Sequence, residues 1–227
     1  MTETSTQNVP TINSKQIAAS ILGASFVGTI ALVSPFVFMQ IKSPLPYMAT
    51  PRRKIINALE FIKSQHQQKD IRFKPRYFDL GSGDGETVLA AGSMNWRATG
   101  FELNSTLYLI SKARWLMTPH VIRKNCDFRY GDMWKQNIGD ADAVMIFGVK
   151  PLMPKIAHKI QSECRTGTFV LSYRFHIPLM NGNDHKVKLG QNEVKGSAGF
   201  LNADLVYDEE DMRVYRLRSN VDHTETT

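Results

Sequence analysis

The sequence contains very little cysteine, and this scarcity limits both the compartment and the kinds of site the protein can have. Only Cys126 and Cys164 occur among 227 residues, with no Cys-x-x-Cys pair and no histidine cluster beside them. A disulfide framework and a cysteine-rich zinc site are therefore excluded, and two free thiols indicate a reducing compartment. We expect both cysteines to pack as small core residues, and we expect no metal ion.

Acidic residues are in the minority, but the positive excess is confined to one stretch of the chain. The sequence has 28 Lys and Arg against 21 Asp and Glu, a net charge of +7. Residues 42–76 carry nine of the basic side chains and only two acidic ones, so the rest of the chain is balanced. Because nucleic-acid-binding domains distribute basic groups over their surface, we do not expect nucleic acid as a partner.

Charged residues are absent altogether from residues 16–41, a run of 26 residues rich in Ala, Val, Ile and Phe. At 1.5 Å per residue such a helix is about 39 Å long, enough to cross a hydrocarbon core of about 30 Å. The length of the run disfavours a cleaved signal peptide. We expect a transmembrane helix over residues 16–41, with a signal peptide and a buried helix of a globular domain as the alternatives.

The basic stretch that follows this run predicts its orientation. Positive residues beside a transmembrane helix stay on the cytoplasmic or matrix side and attract anionic lipid head groups. We therefore expect a single-pass membrane protein that contacts the lipid bilayer through residues 16–41 and 42–76, with its C-terminal domain on the matrix or cytoplasmic side. The expected organisation is a disordered tail at 1–15, the transmembrane helix at 16–41, a proline-containing linker at 42–50, a globular domain at 51–220 and a disordered tail at 221–227.

Short apolar runs alternate with helical patterns from Arg76 onward, and the last two runs flank an acidic turn at residues 208–211 as an antiparallel hairpin. This alternation predicts an α/β fold, with a mostly parallel sheet covered by helices on both faces. A parallel sheet closed by a hairpin resembles the Rossmann-like, seven-stranded sheet of methyltransferases. The expected strands cover residues 77–80, 98–101, 126–130, 143–147, 169–173, 205–207 and 214–217.

The first predicted strand ends in a glycine-rich turn with the pattern Asp79-x-Gly81-x-Gly83-x-Gly85. Glycine permits positive φ and lets a ligand lie against bare backbone. The spacing differs from the GxGxxG of dinucleotide-binding proteins, in which a helix N-terminus receives a pyrophosphate. S-adenosylmethionine carries an ammonium and a sulfonium but no phosphate. The carboxylates of Asp79 and Asp84 suit that ligand better than a pyrophosphate.

Two further acidic residues stand at the ends of later strands. Glu102 ends the second strand, where a carboxylate can accept from both ribose hydroxyls, and Asp132 follows the third, where it can accept from the adenine amino group. Because the carboxyl ends of parallel strands lie at one edge of a sheet, we predict that they form an S-adenosylmethionine site. A nicotinamide or flavin dinucleotide and a purely structural turn are the alternatives. The expected cofactor-binding residues here are Asp79, Gly81, Ser82, Gly83, Asp84, Gly85, Glu102, Leu103, Asp132, Met133 and Phe147.

Several segments together carry a narrower resemblance: Leu45-Pro46-Tyr47-Met48-Ala49-Thr50, the glycine-rich turn, Gly100–Asn104, Ile146–Val149 and Tyr173–Phe175. They are similar to the mitochondrial protein-lysine methyltransferases that modify the ATP synthase c-subunit and the adenine nucleotide translocase. The resemblance implies methyl transfer from S-adenosylmethionine to a lysine of a mitochondrial inner-membrane protein, and it implies that Thr50 also lies near the cofactor. It also makes the mitochondrial inner membrane the expected location.

The chain departs from this family at two places that border the expected acceptor channel. Lys150-Pro151 stands where the family has Pro-Gln, and His176 stands where the family has proline. The resemblance therefore leaves the acceptor protein open.

An acceptor lysine must lose its proton before it attacks, which costs about 4–5 kcal/mol at pH 7 from a pKa near 10.4. An aromatic channel lowers the amine pKa by desolvation and can hold the methylated cation. Tyr47, Phe147 and Tyr173 are candidates for its wall, and we assign no catalytic base. The competing functions are a small-molecule, lipid or RNA methyltransferase and a catalytically silent membrane scaffold. The RNA alternative lacks its usual [DN]PP[YF] motif after the fourth strand.

Overall fold

The computed structural model describes residues 14–42, 50–65, 74–180, 186–189, 192–195 and 200–219. The helices are α1 (Ser14–Lys42), α2 (Arg52–Gln65), α3 (Glu86–Ser93), α4 (Ser105–Met117), α5 (His120–Arg123) and α6 (Met153–Glu163). The strands are β1 (Arg76–Leu80), β2 (Arg97–Glu102), β3 (Cys126–Tyr130), β4 (Ala143–Ile146), β5 (Phe169–Tyr173), β6 (Lys186–Leu189), β7 (Asn192–Lys195), β8 (Ala203–Glu209) and β9 (Met212–Leu217). The tail predicted at 221–227, nearly all of that at 1–15 and most of the linker at 42–50 lie outside the described residues.

Seven strands form one sheet in the spatial order β3-β2-β1-β4-β5-β9-β8. Strands β1 to β5 are parallel, β9 runs antiparallel to β5, and β8 pairs with β9 as the closing hairpin. The predicted α/β sheet with a C-terminal hairpin is therefore confirmed. A second hairpin, β6–β7, separates β5 from β8 along the chain and was not predicted. Strand order reverses between β1 and β4, so the carboxyl ends of these strands flank the crevice at which open α/β sheets bind ligands.

Apolar side chains cover both faces of the sheet. One core cluster packs α2 and α3 against the sheet through residues such as Ile55, Leu59 and Val88. The other packs α6 against the opposite face through residues such as Ile156 and Ile160. Because β1, β4 and β5 are covered on both sides, consecutive residues are buried from Tyr77 to Leu80 and throughout β4 and β5, rather than every second one.

The spacing of Leu107, Ile110 and Ala113 predicts that all three point inward from α4, and the structure differs. Leu107 and Ser111 are the buried residues of this helix, as expected for positions four apart on one face. Ile110 and Ala113, which the spacing predicted to point inward, are exposed, with 42% of the Ile110 surface accessible. Helix α4 lies beside the edge strand β3 and its neighbour β2, so only a narrow stripe of its surface contacts the sheet.

The predicted membrane span requires a correction. Residues 14–42 do form a helix, α1, yet in the described part of the chain no helix is both long and apolar enough to cross a membrane. The helix carries polar side chains such as Ser20, Ser25 and Thr29 among its apolar ones, which lowers its mean hydropathy. The prediction of a single-pass protein of the mitochondrial inner membrane is therefore contradicted.

Replacement of a buried residue of α2 tests whether this helix belongs to the core. Leu59 has no exposed surface, so Leu59→Ala should lower the free energy of unfolding by about 2–5 kcal/mol. Its neighbour Glu60 is exposed, so Glu60→Ala should change it by less than about 0.5 kcal/mol. Urea unfolding followed by circular dichroism measures both values. Equal changes in the free energy of unfolding of the two variants would contradict the burial of Leu59 in the core.

Candidate active site

The glycine-rich turn between β1 and α3 is held by hydrogen bonds to the end of β2. The backbone N–H groups of Gly81 and Ser82 both donate to the carbonyl oxygen of Phe101, at 2.9 and 3.0 Å. The backbone N–H of Gly83 donates to the Glu102 carboxylate at 2.7 Å. Three consecutive N–H donors of the turn therefore have acceptors on one neighbouring strand, and these hydrogen bonds hold the turn against the end of β2.

Glycine is required in this turn for two different reasons. Gly81 and Gly85 have φ values of 95° and 84°, in the left-handed region that side chains other than glycine rarely adopt. A Cβ on Gly85 would lie 2.6 Å from the Phe128 ring, so this position is closed. A Cβ on Gly81 would meet no atom within 4 Å, so the space beside this backbone is open. Open space beside bare backbone is what a ligand of this turn needs.

Asp79, on β1 just before the turn, is a buried carboxyl with 3% of its surface exposed. It accepts a hydrogen bond from the hydroxyl of Thr87 on α3. Burial raises its pKa to about 7, the Thr87 hydrogen bond acts against this shift, and the charges of Glu102 and Asp84 add to it. A cationic ligand beside Asp79 would favour its ionised form.

Glu102 ends β2 and is held by both of its carboxylate oxygens. Oε2 accepts from the N–H of Gly83 and Oε1 from the N–H of Asn104, each at 2.7 Å. Burial raises the pKa of Glu102, and hydrogen bonds from backbone N–H groups act in the opposite direction. Each carboxylate oxygen can accept more than one hydrogen bond, so the group keeps capacity for ribose hydroxyls.

Asp132 lies next to Glu102 at the carboxyl end of β3. The N–H of Gly131 donates to the Glu102 carbonyl at 3.0 Å, which holds the two strand ends together. The Asp132 carboxylate accepts from the N–H of Trp134 at 3.0 Å and so caps the short 3-10 turn Met133–Lys135. The structure thus brings Asp79, the turn, Glu102 and Asp132 to one edge of the sheet. Met133 is half-buried beside Asp132, and Leu103, directly after Glu102, is exposed.

Asp84 is engaged differently from the prediction. Its carboxylate pairs with Arg114 of α4, which also pairs with Glu86 at the start of α3. Arg52, the first residue of α2, reaches the same Glu86 at 2.9 Å. Burial raises the pKa of Glu86, but hydrogen bonds from Arg52 and Arg114 outweigh this and leave the pKa lowered. Neither arginine was predicted to lie at the site, because nothing in the sequence signals a contact between α4 and the turn.

Two of the three aromatic residues predicted for the acceptor channel lie together. The rings of Phe147, after β4, and Tyr173, at the end of β5, have centroids 6.4 Å apart. Phe175, which was not predicted, extends this pair, with its ring centroid 6.2 Å from that of Phe147. Tyr47 lies outside the described residues. Thr50, which the resemblance placed near the cofactor, is buried two residues before the start of α2.

Arg174 connects Tyr173 to Phe175 in an unusual backbone conformation. Its φ of 69° is left-handed, which costs a residue other than glycine about 1–3 kcal/mol. Three hydrogen bonds hold the bend: Arg174 N–H to the Asp211 carbonyl at 2.8 Å, Phe175 N–H to the Tyr173 carbonyl at 2.9 Å, and the Ser172 hydroxyl to the Phe175 carbonyl at 2.6 Å. Strained residues cluster at functional sites, and this one positions the third aromatic ring.

The two cysteines contribute no reactive thiolate. Burial raises the pKa of Cys126 to about 11 and that of Cys164 to about 12. Among the residues that the structure describes, no group of three His, Cys, Asp or Glu side chains is placed to hold a metal ion.

The strand order, the glycine-rich turn and the acidic strand ends define the methyltransferase class of Rossmann-like folds. An RNA methyltransferase from Salinibacter ruber, solved with S-adenosylhomocysteine, shares the fold, with a TM-score of 0.52 and 21% identity over 75% of this chain and 92% of that one. At this identity the likeness concerns the fold alone.

Closer relatives identify the family. The family model described as the ANTKMT methyltransferase domain matches residues 79–184. The ATP synthase c-subunit lysine N-methyltransferase of Xenopus laevis is 31% identical over 164 residues, 71% of this chain and 68% of that protein. The protein of that name from Caenorhabditis elegans is 30% identical over 74% of this chain and 86% of its own length. Adenine nucleotide translocase lysine N-methyltransferase of Mus musculus is 29% identical over 71% of this chain and 66% of its own length.

The chain belongs to this family of lysine N-methyltransferases. The prediction of an S-adenosylmethionine-dependent methyltransferase is therefore confirmed.

Asp79→Asn tests the buried carboxyl through the pH dependence of stability. Folding raises the Asp79 pKa from 3.8 to about 7, so its favourable contribution is complete below pH 4 and is lost as pH rises through 7. Without cofactor, the variant should match the wild type near pH 4 and be more stable at pH 8, by at most about 4 kcal/mol. Thermal unfolding at both pH values measures this. A difference that does not change with pH would contradict the raised pKa.

Two replacements of Arg174 isolate the backbone strain. Arg174→Ala and Arg174→Gly both remove the side chain, but only glycine adopts a φ of 69° without strain. The glycine variant should therefore exceed the alanine variant in free energy of unfolding by about 1 kcal/mol. Urea unfolding compares them. An alanine variant as stable as the glycine variant would show that position 174 is not strained.

Proposed function

We propose that this protein transfers methyl groups from S-adenosylmethionine to the ε-amine of a lysine in another protein. The observation that carries the proposal is the aromatic group of Phe147, Tyr173 and Phe175, which follows β4 and β5 beside the crevice of a methyltransferase sheet. The relatives' names specify lysines of the ATP synthase c-subunit and of the adenine nucleotide translocase. We extend the proposal to a lysine of a mitochondrial inner-membrane protein of that kind.

The residues at the crevice fit this cofactor. The Ser82 hydroxyl is buried and has no hydrogen-bond partner among the described residues, so a polar ligand at the turn would satisfy it. Asp79 and Ser82 would hold the amino-acid end, Glu102 the ribose hydroxyls and Asp132 the adenine amino group. When bound, the cofactor supplies a methyl group carried on a sulfonium. The lysine amine takes this methyl group by an in-line displacement in which the sulfur is the leaving atom. Of the other predicted binding residues, Asp84 orients the turn through Arg114, and Thr50, Gly81, Gly83, Gly85, Leu103, Met133 and Phe147 remain proposals.

The aromatic group has two tasks in this proposal. Its rings exclude water from the acceptor lysine, which lowers the amine pKa and reduces the free energy needed to remove the proton. Their faces also attract the methylated, positively charged product. Positioning the amine in line with the sulfonium supplies the remainder of the rate enhancement. Tyr47 remains a predicted member of the wall.

The domain boundaries predicted from the sequence form part of the proposal. Helix α2 packs into the core through Ile55 and Leu59, which supports a catalytic domain that starts at residue 51 and ends near residue 220. The contact of the basic stretch 42–76 with anionic lipid stays a prediction from its charge.

Labelling with tritiated S-adenosylmethionine tests the proposed reaction. Incubation with mitochondrial membrane extract should place the label in protein, and acid hydrolysis should recover it as methyl-lysine. Gly81→Arg should abolish labelling, because the side chain fills the open space beside the turn. Gly167→Arg is a matched control, since Gly167 has a φ of 85° and also has no atom within 4 Å of a Cβ, but it lies just before β5. Label in lipid or RNA, or equal loss in both variants, would contradict the proposal.

A further inference from the structure

Lys159 of α6 is a buried lysine outside the proposed binding residues. Only 7% of its side chain is exposed. Its ammonium group lies 2.7 Å from the Gln136 carbonyl oxygen, 3.5 Å from the Trp134 carbonyl oxygen and 2.6 Å from the Glu163 carboxylate. A buried ammonium is expensive unless its N–H groups have acceptors, and three acceptors match its three donors here. Two of the three are main-chain carbonyls of a different segment, so the lysine joins α6 to that segment.

The segment in question, residues 132–138, leads from β3 toward β4 and carries Asp132. Glu163 holds its far end, because its second carboxylate oxygen accepts from the N–H of Ile138 at 3.3 Å. Lys155, one turn before Lys159 on α6, places its ammonium 4.1 Å from the centroid of the Trp134 ring. The segment is therefore attached to α6 at several points along its length.

The orientation of Asp132 depends on the two residues whose carbonyls Lys159 binds. The N–H of Trp134 donates to the Asp132 carboxylate at 3.0 Å, and the Gln136 side chain donates to the Asp132 carbonyl at 3.1 Å. A shift of Trp134 or Gln136 would therefore turn the carboxylate that faces the base in the proposed cofactor site. Lys159 acts on Asp132 through these two residues, so its effect on the base is indirect.

We propose that Lys159 and Glu163 form a positioning pair that fixes Asp132 for recognition of the 6-amino group of adenine, and that this pair thereby sets the preference for adenine over other purines. The inference rests on the proposed cofactor site. It concerns the selectivity of ligand binding and requires no assumption about the acceptor protein.

The test compares the dissociation constants of S-adenosylhomocysteine and S-inosylhomocysteine by calorimetry. The inosine analogue carries an oxygen where adenine has its amino group, so it can no longer donate to Asp132. A hydrogen bond to a charged group corresponds to about a 10–100-fold preference for the adenosine ligand in the wild type. The double variant Lys159→Met/Glu163→Leu should reduce this ratio at least about fivefold. Replacing a buried ion pair by apolar side chains of similar volume is often neutral for stability, so the fold should persist.

Two further variants keep the test decisive. Glu163→Gln retains an acceptor for Ile138 but loses the charge opposite Lys159, so it should reduce the ratio by a smaller factor. Lys63→Met is the matched control, because it removes a lysine–carbonyl contact, 2.5 Å to Met94, at the opposite end of the sheet. It should leave the ratio unchanged. An unchanged ratio in both Glu163 variants would overturn the positioning pair, even where the overall affinity falls.

Asp132→Ala separates failure of this inference from failure of the cofactor site. Loss of the preference in Asp132→Ala together with an unchanged ratio in the Lys159 and Glu163 variants would overturn the positioning pair alone. A preference that survives in Asp132→Ala would overturn both the adenine contact and the inference that depends on it. Neither result bears on the proposed function, because labelling of protein by the wild-type enzyme tests that function separately.

Discussion

Three main-chain N–H groups of the glycine-rich turn are bonded to the last two residues of β2, and the rest of the crevice depends on this attachment. The Phe101 carbonyl accepts two of them and the Glu102 carboxylate accepts the third. Glu102 also accepts a hydrogen bond from the N–H of Asn104 and, through its carbonyl, one from the N–H of Gly131. It therefore joins the segments that follow β1, β2 and β3. The position of the turn, the cap of α4 and the start of the segment 132–138 are therefore set together.

Two features of the crevice reduce the stability of the fold. Asp79 is a buried carboxyl whose pKa is raised mainly by burial, and Arg174 occupies a left-handed conformation without being glycine. Neither is explained by packing, and both lie where ligands are proposed to bind. Buried charge and backbone strain of this kind are tolerated because a well-packed core surrounds them. Here that core is built by α2, α3 and α6 on the two faces of the sheet.

The parts of the fold that could be predicted from the sequence are those that depend on neighbours along the chain. The turn follows a buried strand and Glu102 ends the next one, so the parallel topology alone brings them together. The pairing of Asp84 with Arg114 and the contact of Phe175 with Phe147 could not be predicted in this way. Both depend on the distance at which one element crosses another, which no local pattern encodes. For the same reason the inward face of α4 was predicted too broadly, since its width depends on how much of the sheet lies beneath it.

Arg52 and its partner Glu86 are the first residues of two helices, α2 and α3, and both helices begin at the rim of the crevice. The polypeptide therefore enters the folded domain beside the glycine-rich turn and not at the far end of the sheet. Arg52 also donates to Ser93 at 3.1 Å, so it spans the whole length of α3. Because Thr87 of the same helix donates to Asp79, a displacement of Arg52 would reach the buried carboxyl of the crevice through α3.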